Sequence, residues 1–261
     1  MNRYLLSTLF VAAGLFIPSF NAQEENRTIE EVVVSALRQE TSLQDTAITV
    51  TAITGDSLET QQIENMEDLQ FAVPTLGFQK GAYSGSGITL RGIGNFAVGN
   101  STSSSVGYFW NGQVASISSL YEAELFDVER VEVLRGPQGT LFGDGTTGGL
   151  LQVISKRPNS EFGGYVKADI AEYDSTRISA AVDLPLSDTV RTRIAASSLK
   201  RGGFVVNNYN DEELDDRNNQ SARITLEWDV SDETLFTLVH ENVSADDNRL
   251  RAARQFCKAD T

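Results

Sequence analysis

Between Leu125 and Gly149 the chain reads LFDVERVEVLRGPQGTLFGDGTTGG, and this stretch constrains the fold more tightly than any other. Val131 and Val133 alternate with Arg130 and Glu132, the period of a strand with one buried face. The pattern then breaks into Gly136, Pro137, Gly139, Gly143, Gly145, Gly148 and Gly149. Such a backbone turns tightly, takes positive φ and threads close-packed space, so it cannot continue as a helix. Gly143 to Gly148 also reads G-x-G-x-x-G, the form of a dinucleotide fingerprint. A true fingerprint opens a helix whose N-terminus holds the pyrophosphate, whereas LLQVIS follows here, short and branched like a strand. The glycines are better read as turns between strands.

Charge narrows the function classes. The 261 residues hold 21 Lys and Arg against 36 Asp and Glu, a net of −15, which disfavours a nucleic-acid partner. One His, His240, and one Cys, Cys257, argue against a metal cluster or a Cys-His catalytic pair. A carboxylate-only metal site has no support, and no cofactor is expected. Nothing supplies the acid, base or nucleophile that a secreted hydrolase would need.

At the N-terminus, Asn2 and Arg3 precede an apolar run from Tyr4 to Ile17, and Pro18 to Ala22 supplies a break with small residues: a signal peptide over 1–22. The run is short for a bilayer span, which sets it against an uncleaved anchor. A leader follows, then Ile29-Glu30-Glu31-Val32-Val33-Val34, strand-prone but charged at its flanks and near a free end, where nothing local buries it. It reads as a segment in want of a partner strand, or as the first strand of the next domain. ITVTAI at Ile48 to Ile53 predicts a strand. Asp56 with Glu59 predicts a helix start, with short helices at Leu58 to Ile63 and Asn65 to Phe71, the second placing Met66, Leu69 and Phe71 toward the core. Gly77 to Ser105 is loop-rich around the strand Ile88 to Arg91, and Asn111-Gly112 predicts a two-residue hairpin between Val106–Phe109 and Gln113–Ile117.

Past Pro158 the pattern changes, with a domain boundary near Phe162. Strands of about ten residues are predicted at 164–173, 176–184, 190–199, 221–230 and 235–242. In the fourth, Ala222, Ile224, Leu226, Trp228 and Val230 alternate with Arg223, Thr225, Glu227 and Asp229. Apolar-out, polar-in alternation is the mark of an outer-membrane barrel, although a soluble antiparallel sheet alternates too. Trp228, Tyr165 and Tyr173 suit aromatic girdles. Pro185–Thr189 and Ser231–Thr234 are tight turns, and Gly202 to Gln220 is a long acidic loop.

ERVEVLRGPQGTLFGDGTTGG with LLQVISKRP, and DLQFAVPTLGFQ before it, resemble the plug domain of TonB-dependent outer-membrane receptors. The resemblance implies an α+β plug followed by antiparallel transmembrane β-barrel strands, incomplete because such barrels have about 22 strands and five fit here. It divides the chain into a signal peptide (1–22), a leader and TonB box (23–36), a plug (37–161) and barrel strands (162–261). It implies active transport across the outer membrane, of an iron–siderophore or similar nutrient, and no enzyme activity. The partners implied are the periplasmic domain of TonB, a small-molecule ligand (an iron chelate by preference) and outer-membrane lipid, with plug and N-terminus facing the periplasm. TonB would grip Ile29, Glu30, Glu31, Val32, Val33 and Val34 by strand addition. Arg91 and Arg135, in the LRG and LRGP motifs on neighbouring plug strands, would anchor plug to barrel through glutamates beyond Thr261. Two positions depart from the family pattern: Asn111 stands where an acidic residue is usual, and Asp144 near where a basic one is. A signalling receptor, or uptake of cobalamin, heme, a nickel complex or an oligosaccharide, stays open.

Overall fold

The computed structural model describes residues 33–34, 41–42, 48–80, 86–94, 104–115 and 118–248. The signal peptide, residues 29–32 of the TonB box, the glycine-rich segments 81–85 and 95–103, and Cys257 lie outside the described residues.

The described elements begin with β1 (Val33–Val34) paired antiparallel to β2 (Thr41–Ser42). Next come β3 (Thr49–Thr54), α1 (Gly55–Thr60) and α2 (Met66–Ala72). The first helix is capped by Thr54 rather than Asp56, because the Thr54 hydroxyl accepts the Ser57 N–H at 3.3 Å. A capping box starts α2: Asn65 Oδ1 accepts from the backbone of Glu67 and Asp68, and the Asp68 carboxylate accepts the Asn65 N–H. Met66 and Leu69 are buried, but Phe71 is 82% exposed, against expectation. At 100° per residue Phe71 projects some 140° round from Met66, on the face opposite the Met66–Leu69 stripe.

The chain continues through β4 (Leu76–Lys80), β5 (Ser86–Leu90), β6 (Ile93–Gly94), β7 (Val106–Trp110), β8 (Gln113–Val114) and a 3-10 turn at Ser118–Glu122. Then come β9 (Val128–Arg135), α3 (Gly139–Phe142) and β10 (Gly149–Ser155). One sheet has the order β3-β9-β10-β7-β8, with β10 parallel to β7 and antiparallel to β9; a second has the order β4-β5-β6. The predicted hairpin at Asn111-Gly112 is present, both residues at positive φ as a type I′ turn requires. LLQVIS is a strand with no helix after it, so the fingerprint reading fails; the glycine run nonetheless holds one turn of helix, α3, that the sequence reading did not foresee. β9 differs from expectation as well. It is the second strand of its sheet and is covered on both faces, Val131 and Val133 in one core and Leu134 in another. Glu132, fully buried, accepts from Arg130 Nε at 2.8 Å.

From Gly163 the chain is a meander of long antiparallel strands: β11 (Gly163–Ala171), β12 (Ser175–Pro185), β13 (Val190–Arg201), β16 (Arg217–Ser231) and β17 (Thr234–Ala245). Between β13 and β16 the expected acidic loop folds into a small hairpin of β14 (Val205–Val206) and β15 (Glu213–Leu214). Burial along β16 inverts the soluble rule: Arg223, Thr225 and Glu227 are buried, while Ile224, Trp228 and Val230 are about half exposed. Polar residues thus face the plug and apolar ones face out, which removes the soluble-sheet alternative. Tyr165 is the exception among the girdle candidates. It shares strand parity with Lys167 and Asp169, so it points inward and packs against Phe126.

Candidate functional site

The site is the contact between the plug and the wall formed by β11–β13, β16 and β17. Its center is Phe126–Asp127, immediately ahead of β9. The Phe126 ring is buried against Ala181, Ala195 and Tyr165, and the Arg223 guanidinium carbon stands 4.4 Å from its centroid. Asp127, at φ 50°, receives a two-pronged bond from Arg193: Nε at 2.8 Å and Nη2 at 2.6 Å. Arg193 also donates to Asp183 at 2.5 Å, and the Tyr165 hydroxyl donates to Asp127 at 3.4 Å. Arg223 donates to the backbone carbonyls of Phe126 and Asp127, each at 3.3 Å, and to Glu241 at 3.0 Å.

A second contact lies at α2 and the segment before Phe126. Arg177 on the wall bonds Glu64 and, at 2.9 Å, Glu124. Burial pushes the Glu124 carboxyl up to about 7, with Asp68's charge adding to it, while a hydrogen bond from Asn219 and the charge of Arg217 pull it back. Lys167 pairs with Glu59 across a more exposed part of the interface, where an ion pair is worth at most about 1 kcal/mol. Among the described residues no group of three or more His, Cys, Asp or Glu is placed to hold a metal ion. A cleft of about 1200 Å³ separates the plug hairpin at Asn111 from the inner face of β16 and β17, lined by Arg130, Gln152, Lys156, Glu227 and Glu241 among others.

The residues singled out from the sequence fall elsewhere. Val34 is fully buried with Phe109, Leu134, Phe142 and Leu150, so its cover comes from residues distant in sequence rather than local ones. Arg91 is not in a strand: with Gly92 it forms the positive-φ turn between β5 and β6, and it is exposed. Arg135 ends β9 and donates to the Thr51 hydroxyl, while its buried Nε has no partner among the described residues. Arg135 and the turn that carries Arg91 therefore belong to different sheets, and the two are not on neighbouring strands. Their elements meet around Gly149, where a Cβ would stand 2.9 Å from Leu90 Cδ1 and 3.3 Å from Arg135 Cα. Asn111, one of the departures, is satisfied within the plug: it donates to the Ser155 hydroxyl at 3.1 Å and accepts the Ser155 N–H at 2.9 Å.

Residues 42–150 match the model of the TonB-dependent Receptor Plug Domain. Over this stretch the chain is similar to the plug of TonB-dependent receptors. The pesticin receptor of Yersinia pestis is 29% identical over 185 residues, covering 67% of this chain and 26% of that protein. The iron-regulated outer membrane virulence protein of Vibrio cholerae is 26% identical over 228 residues, covering 82% and 35%. In fold, the chain is similar to the ferric yersiniabactin uptake receptor of Yersinia pestis, with TM-score 0.65, 22% identity, and 74% and 31% of the two chains covered. The chain spans about a quarter to a third of the length of these relatives.

Proposed function

We propose that this receptor chain serves active import across the outer membrane, with an iron–siderophore as ligand. The observation that carries the reading is a plug seated on the polar inner face of strands whose outer face is apolar: a gate inside a membrane wall. The ligand class rests on the relatives, which are named as receptors for pesticin, ferric yersiniabactin and ferripyoverdine. Ligand binding at the outer mouth would be followed by TonB pairing with Ile29 to Val33 as an added strand. Val34 would then be the point where pull enters the plug, since it belongs to the core cluster of Phe109, Leu134, Phe142 and Leu150. Arg135, with a buried nitrogen to satisfy, and Arg91 would brace the plug against wall strands beyond Thr261.

Strand addition depends on main-chain donors, so proline is the discriminating substitution. Val33→Pro should abolish TonB-dependent uptake of a labelled ferric siderophore in cells expressing the intact receptor, while Val33→Ala lowers it slightly. Equal uptake by both variants and wild type would overturn the TonB role of this segment.

A further inference from the structure

Both arginines that hold Phe126–Asp127 are already neutralised within the wall. Asp183 lies directly across from Arg193 in the β12–β13 register, and Glu241 directly across from Arg223 in the β16–β17 register. Each pair is bonded, at 2.5 Å and 3.0 Å. The rung next to Asp183–Arg193 on the same face is Ala181–Ala195, whose small side chains leave the shallow seat that the Phe126 ring fills. Arg223 faces Ala195 across the β13–β16 ladder, so the seat and the two ionic rungs are contiguous over four strands. The plug brings to them one ring, one carboxylate and two carbonyl oxygens.

We infer that these rungs form a charge-neutral socket in the barrel wall, a site for reversible docking of the plug's own Phe126–Asp127 corner. The inference rests on the import reading, in which the plug must leave the wall and return. A wall that offered bare arginines would bind Asp127 far more tightly and would carry two unpaired charges after release. Here Asp183 shares Arg193 with Asp127, and Glu241 shares Arg223 with the carbonyls, so withdrawal leaves two intact cross-strand pairs. The carboxylates of the wall therefore weaken the grip: they are release elements, and their removal should tighten docking.

The test places a cysteine at Ala181, 6% exposed in the wall seat that the Phe126 ring covers, in an intact receptor carrying Cys257→Ser. The rate at which a thiol reagent labels it in cells lacking TonB reads the fraction of plugs off the wall, independently of any transport. Asp127→Asn should raise that rate on the order of tenfold or more, because a charge-assisted bond is lost. Asp183→Asn should lower it severalfold, since the socket becomes net positive; the asparagine oxygen still accepts the Asn159 N–H that Asp183 holds at 3.2 Å. If Asp183→Asn does not accumulate in the membrane, Glu241→Gln takes its place with the same expectation. A rate raised by the wall substitution, as for a permanent staple in which each ion counts, overturns the socket; so does an Asp127→Asn rate equal to wild type. Adding TonB back tests the import reading separately, through a higher rate in the otherwise unaltered receptor.

Discussion

Replacing Gly149 by alanine should damage the plug more than any other single methyl group at a described glycine of its sheet. Gly149 sits at φ +131°, and an added Cβ would lie 2.2 Å from the Leu134 carbonyl oxygen, against 3.4 Å or more for an ordinary contact. The backbone must yield by more than 1 Å at a rung that three strands share, because Gly149 pairs with Arg135 on β9 and with Val106 on β7. Strain at a conformation closed to L residues costs about 1–3 kcal/mol. Overpacking against the backbone adds about 1–3 kcal/mol, for a total of roughly 2 to 6 kcal/mol. Gly139, which opens α3 and has nothing within 4 Å of its Cβ position, is the control: Gly139→Ala should lie within about 0.5 kcal/mol of wild type. Urea unfolding of the intact receptor in detergent, followed by protease sensitivity of the plug, measures both. If Gly149→Ala unfolds at the same midpoint as Gly139→Ala, the steric reasoning is wrong.

The remaining predictions concern pH, the core and the membrane. Glu124 has a folded pKa of about 7 against an ordinary 4.5, so the native state holds the extra proton between those values. The stability this confers is full below about pH 4.5 and is lost as pH rises through 7, on the order of 3 kcal/mol. Glu124→Gln should therefore match wild type at pH 4.5 and exceed it in thermal stability at pH 8; a less stable variant at pH 8 would mean that the Arg177 bond outweighs burial. Leu69→Ala should cost about 2–5 kcal/mol of plug stability and Phe71→Ala less than about 0.5, by urea titration. Ile224→Lys, on the outward face at the middle of β16, should cost about 2–4 kcal/mol in lipid vesicles, an effect absent if that face met water.

The wall was legible because strand parity is a strict code: each of the five strands was found within a few residues of its ends. Parity also explains the miss at Tyr165, where aromatic character was weighed above position in the alternation. The Asn111-Gly112 hairpin was legible from two residues. By contrast, Arg91-Gly92 makes the same positive-φ turn with a residue type that gives no such signal. The contact center was not found at all. Phe126 and Asp127 read as the flank of a strand, and Arg193 as one more polar residue on a wall strand; only the register brings Asp183 opposite Arg193 and Glu241 opposite Arg223. Matched Arg and carboxylate positions on the polar faces of successive strands were the available signal. The burial of Val34 was not legible because its cover, Phe109, Leu134, Phe142 and Leu150, comes from residues far along the chain.

The position of β3 in its sheet bears on how the plug comes apart. Thr49–Thr54 is the outermost strand, held by a single antiparallel ladder to β9, whereas β9, β10 and β7 are each bonded on two sides. Within this sheet, a pull transmitted along the chain in the import proposed above would reach the outer leaf before β9, β10 or β7. Shearing it off costs one ladder and the hydrogen bond from Arg135 to Thr51, and exposes the edge of β9 without unzipping β9 from β10 or β10 from β7. The stripped sheet keeps a ready template, so the leaf can be re-laid in register by pairing Thr54 with Arg130 and Thr49 with Arg135, with no need to rebuild the interior.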